Sequence, residues 1–256
     1  MISVSSLVGL LLAITVNILA NTLPINGVTT AGVSANYPNL FTPAGITFSI
    51  WGIIYFLLFI YVIFQLVIAL RKEHRHAHII EKTGYWFFFS CIFNAAWIWS
   101  WHHHYIGLSL VIMALLLLTL IVLYRRYSIG ACEVSRKVKY MVFLPVSIYL
   151  AWICVATIAN TTAFLVALDW NGAGLSAPFL TVLLMAAGLS LAFIFMIHRR
   201  DIAVPLVFTW AYLGIFIKRM DETGFSLELV SYASLVGIAV LATGIIFMLL
   251  NRKSFY

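Results

Sequence analysis

PAGITFSIWGIIYFLLFIYVIFQLVIAL, residues 43–70, runs without a single charged side chain. A surface helix sets an apolar stripe against a polar face, and a strand of a membrane barrel alternates apolar and polar residues; this stretch does neither. About 20 apolar residues are needed to cross hydrocarbon as a helix, so 43–70 reads as a membrane span. Working outward from it, similar runs occupy 2–20, 85–101, 105–124, 140–165, 177–197, 202–217 and 229–250. The expected fold is all-α, a polytopic transmembrane helical bundle of about eight spans.

Composition agrees, with 64% hydrophobic and 9% charged residues against about 25% charged in soluble domains. The formal charge of +7 does not point to nucleic acid, because of where the cations sit. Arg71, Lys72, Arg75 and Lys82 follow the second span; Arg125, Arg126, Arg136, Lys137 and Lys139 follow the fourth; Arg199 and Arg200 follow the sixth. Arg252 and Lys253 close the chain, while only Lys218 and Arg219 fall on the other side of an eight-helix threading. The positive-inside rule then puts both termini in the cytoplasm, in an inner or plasma membrane. Membrane lipid and a hydrophobic small molecule are the expected partners, nucleic acid is not, and a homodimer is left open.

The first run lacks the basic amino end and the cleavage site of a signal peptide, and reads as a retained helix. Cys91, Cys132 and Cys154 show no CxxC spacing, so neither a disulfide framework nor a metal knuckle follows. No ionisable residue lies in the middle of a span, which argues against a proton-coupled pump. Phosphate-loop, GxSxG and HExxH patterns are missing, so no catalytic or metal-ligating residue is assigned and an enzyme is not the leading expectation. His74, His76 and His78 read as a solvated basic loop. His102, His103 and His104 sit in a tight external turn and cannot all point inward; one facing a pocket and a plain interfacial turn both remain open.

Loop 21–42 has neither Lys nor Arg and is rich in Asn, Gly, Pro and Thr, so it is expected to fold over the outer end of the bundle. Pro43 is expected to start the second helix, and Pro145 to bend the fifth unless neighbours compensate. Gly188/Ala192 and Ala233/Gly237 have the small-xxx-small spacing of close helix contact.

Three aromatic and amide stripes stand out at helical spacing: Phe48/Trp51/Tyr55, Asn94/Trp97/Trp101 and Trp152/Ala156/Asn160. Aromatic rings offer flat surface and, through indole N–H or phenol O–H, a few directed hydrogen bonds. An amide in hydrocarbon must find a partner. Such stripes suit either interhelical packing or a planar apolar ligand with polar edges, and the residues alone leave both open.

FTPAGITFSIWGIIYFLLFIYVIFQ (41–65) resembles the second helix of the translocator-protein (TspO/MBR) family of tryptophan-rich sensory proteins, in its order of Pro43, Gly45, Phe48, Trp51 and Tyr55. Phe93-Asn94-Ala95-Ala96-Trp97 is similar to that family's third helix, and LPVSIYLAWICVATIAN (144–160) to its fifth. The family's Trp and paired prolines before the second helix stand here as Phe41 and Pro43-Ala44.

The resemblance implies a five-helix membrane domain over 1–168, followed by a three-helix extension over 169–256. It implies a pocket capped by the first external loop that takes a tetrapyrrole, porphyrin or haem, as ligand and requires no cofactor. The matching ligand-binding positions are Trp51, Tyr55, Asn94, Trp97, Trp152 and Asn160, with Phe48 from the same stripe and Tyr37, Leu40 and Phe41 from the loop. A sensor or receptor is the leading expectation. A transporter of small hydrophobic molecules and a tetrapyrrole-degrading enzyme, with Trp51 and Trp152 as reactive groups, are the alternatives.

Overall fold

The computed structural model describes residues 1–23, 25–220 and 225–251, with backbone alone for 225–227. Arg252 and Lys253, counted above among the cytoplasmic cations, lie outside the described residues. Eight long helices carry the fold: α1 Ile2–Thr22, α2 Ile50–Leu70, α3 Trp86–His102, α4 Ile106–Tyr127, α5 Leu144–Ala167, α6 Ala177–Arg199, α7 Ala203–Met220 and α8 Phe225–Leu250. Among the described residues there is no strand. This is the polytopic all-α bundle that the hydropathy pattern predicts.

Seven of these helices, some with their flanking turns, are long and apolar enough to cross a membrane. The remaining one, α3, has 17 residues, or about 25 Å at 1.5 Å per residue, and sits at the lower edge of the spanning range.

The first five helices close into a ring. α1 packs on α2 and α3, α3 on α4, α4 on α5, and α5 back on α2. Polar side chains cross the seams: Ser6 Oγ bonds Gln65 Oε1 at 3.4 Å between α1 and α2, and Asn160 Nδ2 donates to Ser109 Oγ at 3.1 Å between α5 and α4. In lipid, where no water competes, such bonds fix which faces meet.

Two prolines behave differently from simple expectation. Pro43 does not start α2; a 3-10 turn, Gly45–Ser49, intervenes and the α-helix begins at Ile50. The reason is tertiary, because Ala44 stays non-helical at ψ 149° and gives its amide to Gly214 O of α7 at 2.9 Å. Pro145 is accommodated by a π turn, Lys139–Phe143, that joins Arg136–Val138 to α5. A proline denies the carbonyl four residues back its bond, and the wider turn absorbs that loss.

The last three helices pack as a second layer. α6 and α8 contact each other and α7, and α7 alone of the three makes extensive contact with α5 and with the Gly45–Ser49 turn. Both predicted small-residue seams are used on α7. A Cβ on Gly188 would stand 2.9 Å from Tyr212 Oη, and one on Gly237 would stand 2.6 Å from the Tyr212 ring. Tyr212 is therefore clasped between α6 and α8, its hydroxyl donating to Met185 O.

A buried carboxylate fastens the layer to the ring at the basic end. Asp201, 9% exposed, accepts from Ser147 Oγ at 2.6 Å and from Tyr124 Oη at 3.0 Å. Its other oxygen accepts from Ala203 N at 3.0 Å, the capping arrangement that starts a helix. Burial pushes its carboxyl above the ordinary aspartate value, although the Ser147, Tyr124 and backbone donors pull the other way.

Candidate functional site

The end of the five-helix ring away from the basic clusters holds a continuous aromatic cluster. Trp51 is its hub, half-buried and stacked on Tyr55 with ring centroids 5.6 Å apart and on Trp97 at 6.3 Å. It meets the rings of Trp152 and Tyr149 edge-on, each at 6.3 Å. Phe48 touches Trp152 at 6.3 Å, and Trp97 stacks on Trp101 at 5.9 Å. Helical spacing produces this: Trp51 and Tyr55 lie one turn apart on α2, as do Trp97 and Trp101 on α3, so each pair shares a face. The three stripes read from sequence thus converge on one another.

Their amides are engaged. Asn94, fully buried, accepts at Oδ1 from Asn17 Nδ2 at 2.8 Å and from Tyr55 Oη at 3.1 Å. Asn160 Oδ1 accepts from Trp97 Nε1 at 2.9 Å and from Ser109 Oγ at 3.3 Å. Two buried donors in this neighbourhood, Trp152 Nε1 and Asn94 Nδ2, make no hydrogen bond of ordinary length and angle among the described residues, the Tyr149 hydroxyl being the group beside Asn94.

Beside the cluster, on the α1 side of Trp51, lies a cavity of about 320 Å³. Phe48, Trp51 and Ser49 form one wall with Gly45, and Asn17 and Asn21 of α1 form another. Thr29, Thr30 and Ala31 from loop 21–42 complete it. The volume is at the small end of the roughly 300–1,000 Å³ of ligand pockets. Two of the ten predicted ligand positions, Phe48 and Trp51, line it directly. Tyr55, Asn94, Trp97, Trp152 and Asn160 stand behind them in the cluster.

The loop closes over this end as expected, through polar contacts with the end of α3. His102 is the one of its three neighbouring histidines that turns in: it is fully buried, with Nε2 3.0 Å from Thr30 Oγ1 and Nδ1 3.1 Å from Ile25 O. Trp101 Nε1 donates to Thr30 O at 3.2 Å. His103 instead stacks on Trp99 at 4.6 Å. His104 Nδ1 lies 2.9 Å from Tyr37 Oη, and partial burial pushes the Tyr37 hydroxyl up. Leu40 is half-buried against the core and Phe41 fully buried in it; with Tyr37 they anchor the loop rather than line the cavity.

α7 reaches this end too. Trp210 Nε1 donates to Thr47 O at 2.9 Å, and Arg219 Nη2 donates to Asn39 O at 3.1 Å. Asn39 in turn accepts from the amides of Phe41 and Thr42 at 3.1 and 2.9 Å, so Arg219 steadies the turn that leads into α2.

Sequence reasoning missed Asn17, which both lines the cavity and holds Asn94. The signal was available, an amide inside an apolar span, and is the same one that singled out Asn94 and Asn160. Gly214, whose added Cβ would fall 1.9 Å from Thr47 Oγ1, has no such local signature. Among the described residues no group of three or more His, Cys, Asp or Glu side chains converges on a metal-sized site.

Neither the curated proteins nor the solved structures contain a match to the chain. A family model described as TSPO-like protein matches residues 3–247, a stretch that takes in both the five-helix ring and most of the second layer, and the chain belongs to that family.

Proposed function

We propose that the protein is a membrane receptor of sensor type that binds a planar hydrophobic molecule with polar edges, such as a porphyrin or haem, at the Trp51 end of the ring. The observation that carries this reading is the pair of buried donors that make no hydrogen bond of ordinary length and angle, Asn94 Nδ2 and Trp152 Nε1, beside a stack of indoles that adjoins a cavity. A buried donor left unpaired costs about 1–3 kcal/mol, and a ligand acceptor placed there recovers it. Stacking and burial supply most of the affinity, while the two donors fix orientation. Trp51 lines the cavity and meets Trp152 edge-on, so a guest that reaches Trp152 Nε1 requires that indole to move.

The amino and carboxyl ends face the cytoplasm of a cell's inner or plasma membrane in this reading, because the basic clusters gather at one end of the bundle. Arg219, at the opposite end, is accounted for by its bond to Asn39 O.

Titration of protoporphyrin or haem into the purified protein, followed by Trp fluorescence, tests the assignment. Trp152→Phe keeps the ring and removes the donor; it and Asn94→Ala are each expected to weaken binding by about three- to tenfold, and Trp51→Phe to weaken it and reduce quenching. Unaltered affinity in all three variants removes the site.

A further inference from the structure

A second cavity, of about 330 Å³, opens at the basic end of the bundle on its lipid-facing side, between α2 and the π turn that precedes α5. Its wall is apolar, formed by Phe59, Ile63, Phe64 and Val67 of α2 and Met141 of the π turn. Arg71 and Lys137 stand at its rim, one at the end of α2 and the other just before the π turn. From Phe59 to Arg71 the groove follows α2 for about 18 Å, a little over half of a hydrocarbon core roughly 30 Å thick. It therefore has the length of a single leaflet, with cations at headgroup depth.

The charges favour an anion. Glu73 and His76 also line the rim, Oε2 lying 3.4 Å from Nδ1, so two cations, Arg71 and Lys137, stand there against one carboxylate. Arg71 and Lys137 have no carboxylate within ion-pair distance among the described residues. The widened backbone at 139–143 is where the groove meets α5, and π turns of this kind are frequent at binding sites.

We infer that this groove is a binding site for an anionic phospholipid, its acyl chain lying along Phe59, Ile63 and Met141 and its phosphate held between Arg71 and Lys137. Cationic pockets between spans recognise acidic headgroups in this way, and the apolar wall adds the chain length that a free phosphate lacks. The site is separate from the aromatic cluster, which lies toward the other end of the ring.

Native mass spectrometry of the purified full chain in neutral detergent, titrated with phosphatidylglycerol or phosphatidylcholine, tests the inference. The wild type is expected to retain phosphatidylglycerol at least about fivefold more strongly. Arg71→Ala/Lys137→Ala is expected to lose about tenfold of that retention. Lys72→Asn/Arg75→Ala, which removes two exposed cations outside the groove, is expected to keep it within about twofold; Asn suits position 72, where φ is 49°. Ile63→Trp, which fills the groove and leaves both cations, is also expected to lose retention, and excess inorganic phosphate to leave the lipid in place. Equal retention of the two lipids, or equal loss in the two double variants, overturns the site. So does displacement by inorganic phosphate with Ile63→Trp unaffected, which identifies a phosphate site instead.

Discussion

Trp210 and Thr47, 163 positions apart, are joined by an indole N–H that donates to a backbone carbonyl at 2.9 Å. One turn further along α7, Gly214 lies so close to Thr47 that any side chain there collides with it. The turn that lines the cavity is thus pressed against a helix from the second layer. That layer is part of the site's construction.

Gly214→Ala is expected to destabilise the protein by about 1–3 kcal/mol, the usual cost of overpacking, and to lower its melting temperature in detergent. Thr47→Gly in the same chain removes the Oγ1, Cγ2 and Cβ atoms that the new methyl meets and should restore most of the loss. A double variant no more stable than Gly214→Ala alone counts against this account.

Asp201 gives a pH dependence with a definite sign. Burial raises its carboxyl in the folded protein, so the folded state holds that proton more tightly than the unfolded one. The stabilisation is complete below the ordinary aspartate value of about 3.9 and is lost as pH rises through the raised folded value. Thermal unfolding should show the wild type losing stability across that window relative to Asp201→Asn, which has no such titration. Asp201→Ala also removes the helix cap and should cost about 1–2 kcal/mol.

Asn160 and Asn94 should separate by readout. Asn160 has both amide atoms engaged by Trp97 and Ser109, so Asn160→Ala is expected to lower stability by about 1–3 kcal/mol by leaving a buried indole N–H unmet. Asn94→Ala should in addition weaken porphyrin binding. Parallel melting and fluorescence titrations distinguish them, and a variant of Asn160 that melts like wild type contradicts the first expectation.

His102→Leu removes two contacts to loop 21–42, at Thr30 and Ile25. Amide hydrogen exchange over residues 25–35 should accelerate by about fivefold or more for the loss of roughly 1 kcal/mol, with the spans unchanged. Exchange that stays at the wild-type rate would place the loop's anchorage elsewhere, on Trp101 and Tyr37.

The spans were legible because hydrocarbon imposes one demand on every residue of a helix, and 43–70 meets it wherever it is read. The three aromatic stripes were legible by spacing, and they do meet. What spacing could not decide is what fills the space between them, since a stripe of indoles packs equally well on another stripe or on a guest; Phe48, Trp51, Tyr55, Trp97 and Trp152 meet ring to ring, and the cavity lies beside Trp51. Asn17 was readable but unused. Asp201 and Gly214 were not readable as fasteners, because each acts through partners, Ser147 and Tyr124 or Thr47, that only the folded chain brings near. Pro43 shows the same limit: its local preference to open a helix yields to a bond that its neighbour Ala44 makes with α7.

A chain leaves the ribosome amino end first, so the turn at 45–49 is threaded into the bilayer long before the helix that fastens it has been made. Until α7 arrives, the carbonyl of Thr47 and the amide of Ala44 must be served by water or headgroups, and the turn has nothing to press against. The wall of the cavity is therefore completed late in biosynthesis. A chain stopped after its fifth helix would carry the aromatic stripes without the helix that holds Thr47 and Ala44 in place.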